Sequence, residues 1–142
     1  MNEHDTEGVE QTVRIAARPE TVWRYWTDPD RMGQWWGDAV LDVRPGGSCR
    51  VRMASGAVMR GEYLELVPYE RVVFTFGWEP GEGLPHLPPG STRVEVTLVD
   101  DGGDTVLTLR HTGLPAGLGL VHHEGWDRHL PALVRAATTT RE

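Results

Sequence analysis

The feature that most constrains this chain is a change of period. From Leu41 to Thr112, apolar residues recur at every second position in segment after segment. From Leu118 onward they recur at intervals of three and four. Alternation sends successive side chains to opposite faces of a strand, whereas a spacing near 3.6 gathers them on one side of a helix. A run of half-apolar strands followed by one long amphipathic helix predicts an antiparallel sheet with a single buried face, and only the terminal helix is long enough to cover it.

Taken in order, Val13 and Ile15 against Thr12 and Arg14 predict a first strand from about Val9, with the polar, acidic segment Met1 to Gly8 read as a flexible tail. Pro19 and Asp28-Pro29 each carry the start signal of a short helix, the second ending near Gly37. On the first of these helices Val22, Trp23 and Trp26 form the expected apolar stripe. Six more strands follow. Leu41 and Val43, then Val51 and Met53, flank the turn at Pro45–Gly47, and Met59 and Tyr63 follow Ser55-Gly56. Val72, Phe74, Phe76 and Trp78 share one face after the turn at Pro68 to Glu70. "STRVEVTLVD" and "DTVLTLRHT" flank Asp101–Gly103. Leu118, His122, Trp126, His129 and Leu133 define the terminal helix, with Pro131 predicting a bend near Asp127. The expected fold is α+β: seven antiparallel strands wrapped around a long C-terminal helix, with two short helices after the first strand. The expected domain spans residues 9–137, with 138–142 as a second flexible tail.

Composition narrows the partners. The chain has 142 residues, 39% of them hydrophobic, which suits one domain with a real core. A net charge of −7 opposes nucleic acid and anionic membranes. One cysteine, Cys49, excludes an internal disulfide, and the opening residues hold no apolar run of signal-peptide or membrane-span length. A soluble, cytoplasmic protein is the expectation, with a second copy of the chain admitted as a partner.

Several segments in sequence resemble one family: "VWRYWTDPDRMGQWW", "GGSCRVRM", "GEYLELVPYERVVFTFGW", "PPGSTRVEVTL", "TLRHTGLP" and "HHEGWDRHLPAL". Together they are similar to the START-like (SRPBCC) helix-grip superfamily, in the branch named for the activator of the ninety-kilodalton heat-shock chaperone's ATPase. The resemblance covers nearly the whole chain. It implies a cavity between sheet and long helix that takes an apolar or amphipathic small molecule, while some superfamily relatives are cyclases or hydrolases. It matches the C-terminal domain of the eukaryotic activator and not its separate N-terminal domain, so a chaperone-activating role is ranked last.

The candidate site follows from these two readings. Four of the six tryptophans lie between Val22 and Gly37. Trp23 and Trp35 suit core packing, and Trp26 and Trp36 suit either the core or the mouth of a cavity. Phe74, Phe76 and Trp78, with Met59 and Tyr63 on the neighbouring strand, line the concave face, which is either solid core or a cavity wall. Trp126 belongs to the buried side of the helix. His111 and His122 are the polar exceptions on apolar faces, either satisfied core histidines or groups that orient a ligand. No nucleophile accompanies them, so no catalytic residue is assigned. No metal or other cofactor is expected: His122 and His129 lie two turns apart, and His123 points away. The loop Glu79 to Gly90 is read as a lid or as a proline-stiffened connection. The function expected is non-catalytic binding of a hydrophobic or amphipathic molecule, with an enzyme in the same cavity as the alternative and a chaperone-interaction module third.

Overall fold

The computed structural model describes residues 6–81 and 83–140. Strand β1 (Thr6–Ile15) leads into helices α1 (Pro19–Thr27) and α2 (Pro29–Met32). Strands β2 (Asp38–Leu41), β3 (Ser48–Arg52), β4 (Val58–Val67), β5 (Arg71–Phe76), β6 (Thr92–Asp101) and β7 (Asp104–Pro115) follow, and α3 (Gly119–Thr140) ends the described chain. The seven strands form one sheet in the order β1-β7-β6-β5-β4-β3-β2, antiparallel throughout. Each strand from β2 to β7 pairs with its sequence neighbour, and only the return of β1 to pair with β7 is non-local.

The expected alternation places the core. Phe74 and Phe76 on β5, Val94 and Val96 on β6, and Leu107, Leu109 and His111 on β7 are all buried on the concave face. Helix α3 lies against β1 and α1 and buries His122, Trp126, Leu130, Leu133 and Ala137 beneath it. It runs unbroken through Pro131.

Several details depart from the sequence reading. The first strand begins at Thr6 rather than Val9, so residues 6–8 are not a tail. The Glu7 carboxylate accepts hydrogen bonds from the backbone N–H groups of Gly117 (3.1 Å) and Gly119 (2.6 Å), tying the strand to the start of α3. At the other end α3 extends to Thr140, past the expected boundary at residue 137. Residues 1–5 and 141–142 of the expected tails lie outside the described residues.

In β2 the strand is Asp38–Leu41, and Val43 is exposed. Asp42 N–H already pairs with Ser48 O (2.9 Å), and Gly47 N–H closes on Arg44 O (2.8 Å), so Asp42 to Gly47 form the turn. Finally, α1 buries Val22, Tyr25 and Trp26 instead of Val22, Trp23 and Trp26. Trp23 is only half-buried, edge-on to Tyr69 at 6.1 Å. Tyr25 is fully enclosed, and its hydroxyl donates to Ala136 O (3.1 Å).

Candidate ligand-binding cavity

The tryptophan-rich segment after β1 packs across one end of the sheet. Trp26 sits edge-to-face on Trp35 with centroids 4.8 Å apart, and Trp36 lies 5.3 Å from Trp126 of α3. Such pairs bury large areas and favour inclined rings. The Trp35 indole donates to Tyr25 O (2.9 Å), which locks the turn after α2 onto α1. The Trp26 indole N–H is buried and, among the described residues, has no hydrogen-bond partner.

Beside this cluster lies a cavity of about 380 Å³, within the size range of small-molecule sites. Its floor is the buried Trp36, Phe76 and Trp126. One wall is the turn joining β3 to β4, from Met53 to Ala57, and another is Gly83 to Pro85 of the β5–β6 loop. Helix α3 supplies two adjacent rows, Val121, Gly125 and Arg128 on the outer side and His122, Trp126 and His129 on the inner, as the helical period requires. A β-carbon built on Gly125 would meet no atom within 4 Å, so the missing side chain adds to the open space.

The expected site residues divide between this cavity and the packed interior. Trp36, Phe76, Trp78, His122 and Trp126 line the cavity. Trp26, Met59, Tyr63 and Phe74 lie behind Trp36, around a residual space of about 10 Å³, no more than a single water needs. Tyr63 donates to Trp26 O (3.0 Å), a packing role. His111 lies beneath the floor, 4.4 Å from the Phe76 ring centroid. Gly125, Arg128 and the β3–β4 turn are cavity residues that the sequence reading did not assign to the site, and His129, which it placed only on the helix's apolar stripe, lines the cavity too. Gly125 and Arg128 could have been found by extending the His122–Trp126 stripe by one helical row.

The loop after β5 is anchored, which favours the stiffened connection over a mobile lid. Trp78 N–H donates to Leu87 O (2.6 Å), and Leu87 is buried. The returning chain passes so close that a β-carbon on Gly77 would fall 2.0 Å from Pro88 O, so this position must be glycine.

Both histidines are saturated, and their tautomers follow from their partners. Thr92 Oγ1 donates its only proton to Phe76 O (2.7 Å), so His111 Nε2 must donate to Thr92 Oγ1 (2.8 Å). His111 Nδ1 is then the acceptor for Trp126 Nε1–H (3.1 Å). In His122 the roles are exchanged: Nδ1 donates to Leu118 O (2.8 Å) and Nε2 accepts from Trp78 Nε1–H (3.1 Å). The two rings lie 5.5 Å apart.

Burial, and secondarily the nearby His122, push His111 down to about 3. Burial also lowers His122, against the opposing bond to Leu118. Both are neutral rings holding tryptophans in place. Cys49 is also buried, and burial pushes its thiol up to about 12, far from a reactive thiolate. No group of three or more metal-ligating side chains converges among the described residues, and none of the helices is long and apolar enough to cross a membrane.

A seven-stranded antiparallel sheet gripping a C-terminal helix, with a cavity at one end of their interface, defines an α+β protein of the helix-grip class. Within it, residues 16–138 match the family model described as activator of Hsp90 ATPase homolog 1-like protein, and the chain belongs to that family. No curated protein matches the chain. Among solved structures it is similar to an AHSA1-like protein of Rhizobium etli, at 34% identity over 94% of this chain and 82% of that one, with a TM-score of 0.71. CalU16 of Micromonospora echinospora is 25% identical over 94% of this chain and 77% of its own, with a TM-score of 0.77. An Aha1 from Colwellia psychrerythraea, described as a dimer, shares the fold at 17% identity, with 96% and 99% covered and a TM-score of 0.77.

Proposed function

We propose that this chain is a cytoplasmic protein that binds a hydrophobic or amphipathic small molecule in the cavity between sheet and C-terminal helix, without transforming it. The observation that carries this reading is the cavity itself, about 380 Å³ with a floor of Trp36, Phe76 and Trp126. Aromatic walls of this kind provide apolar contact without committing to one ligand shape.

The saturated histidines favour binding over catalysis. A general acid or base needs a nitrogen within reach of substrate, and all four ring nitrogens of His111 and His122 already have protein partners. For the same reason His122 acts on a ligand through Trp78, whose ring it fixes, rather than as a direct hydrogen-bonding group. Native mass spectrometry of the protein isolated from its own host tests the reading. A retained small molecule, displaced by added hydrophobic competitor, is expected. Turnover of that molecule by the purified protein would overturn the non-catalytic assignment.

A further inference from the structure

The cavity is apolar at its floor and cationic at its rim. Arg128 lines it one helical turn beyond Gly125 and is exposed. Elsewhere on the surface, arginines meet carboxylates: Arg50 and Arg60 share Glu79, and Arg71 bridges Glu65 and Glu95. Arg128 has no such partner within 4.0 Å among the described residues, and no aspartate or glutamate there lines the cavity. Its neighbour His129 also lines the space, but burial first, and then the Arg128 charge, lower its affinity for a proton. Arg128 is therefore the single fixed positive charge on the cavity wall among the described residues. This is notable in a chain of net charge −7, where carboxylates are plentiful.

A guanidinium offers a planar fork of N–H donors that matches a carboxylate. We propose that the ligand is an amphipathic acid, its apolar body against Phe76, Trp78 and Trp126 and its carboxylate on Arg128 at the rim. This rests on the cavity reading above and adds the chemical class of the ligand.

The test compares two probes of equal chain length, dodecanoate and 1-dodecanol, each kept below its aggregation threshold and followed through tryptophan emission. Wild type should bind both and prefer dodecanoate by about 3- to 10-fold, the range for a charged hydrogen bond weakened by solvent at a cavity mouth. The preference should shrink as salt is raised. Arg128→Gln should erase it, lowering dodecanoate affinity more than dodecanol affinity, and Arg128→Lys should retain part of it. If wild type binds both probes alike, or Arg128→Gln keeps the preference or weakens both probes equally, the acid-binding inference is overturned and the cavity reading stands. If neither probe binds wild type, both fall.

Discussion

At the scale of single residues, the site depends on two imidazoles held in opposite tautomers. His111 receives the Trp126 indole N–H on Nδ1, and His122 receives that of Trp78 on Nε2. Protonation would turn each acceptor nitrogen into a donor and leave a tryptophan N–H unpaired, a loss on the order of 1–3 kcal/mol at the buried Trp126 and less at the half-buried Trp78. The sign of the pH effect follows. An unfolded histidine takes a proton near 6.5, whereas His111 in the fold resists until about 3. Between those values the unfolded chain binds more protons, so the stabilisation is complete above about 6.5 and is lost as the pH falls toward 3. His111 alone should contribute a slope of about 1.4 kcal/mol per pH unit in that window. Urea unfolding at pH 7 and pH 5 should show it, with a shallower slope in His111→Gln. An unchanged slope in the variant would mean that His111 titrates freely in the fold. Such residues were legible as polar exceptions on apolar faces, but their tautomers required the Thr92, Trp78 and Trp126 partners, which lie far away in sequence.

At the scale of elements, alternation identified the strands and helical period the long helix, because each half-buried element repeats its pattern over several residues, while the two short helices were marked chiefly by their proline start signals, and the second ends at Met32 rather than near Gly37. What they missed was set by tertiary contact. Thr6 to Gly8 carry no apolar alternation; their place in β1 comes from pairing with Leu114 and Pro115 of β7, reinforced by the Glu7 carboxylate meeting the backbone at the start of α3. The candidate site was half legible for a similar reason. The aromatic row of β5 is plain in sequence, but which rings face a cavity and which face solid core depends on where Trp36 stands between Phe74 and Trp126, a placement three separate elements decide. Helix α3 carries two predictions. Trp126 is only 3% exposed and touches both Trp36 and the His111 ring, so Trp126→Ala should cost about 3 to 5 kcal/mol in chemical denaturation. A loss below about 1 kcal/mol would contradict its place in the core. Gly125 sits inside the same helix with open space before it, so Gly125→Ala should raise stability by roughly 0.5–1 kcal/mol. A fall in melting temperature would show that the position is not open.

At the scale of the whole molecule, the sheet and helix could have closed on each other completely, as they do around Leu107, Leu109 and Leu133, all fully buried. They do not close beside Trp36, where a small residue on α3 and an anchored loop leave room. Glycine at position 125 is unfavourable for the helix and favourable for the space, as the proposed ligand-binding role requires. Gly125→Phe tests this most directly, because position 125 lines the cavity and a β-carbon there meets no atom within 4 Å. Tryptophan emission should respond saturably to 1-dodecanol in wild type, through Trp36, Trp78 and Trp126 on the cavity wall. Gly125→Phe should remain folded, with a melting temperature at or above that of wild type, and its emission should no longer respond. A variant that stays folded and binds the probe as tightly as wild type would contradict the cavity as the binding site.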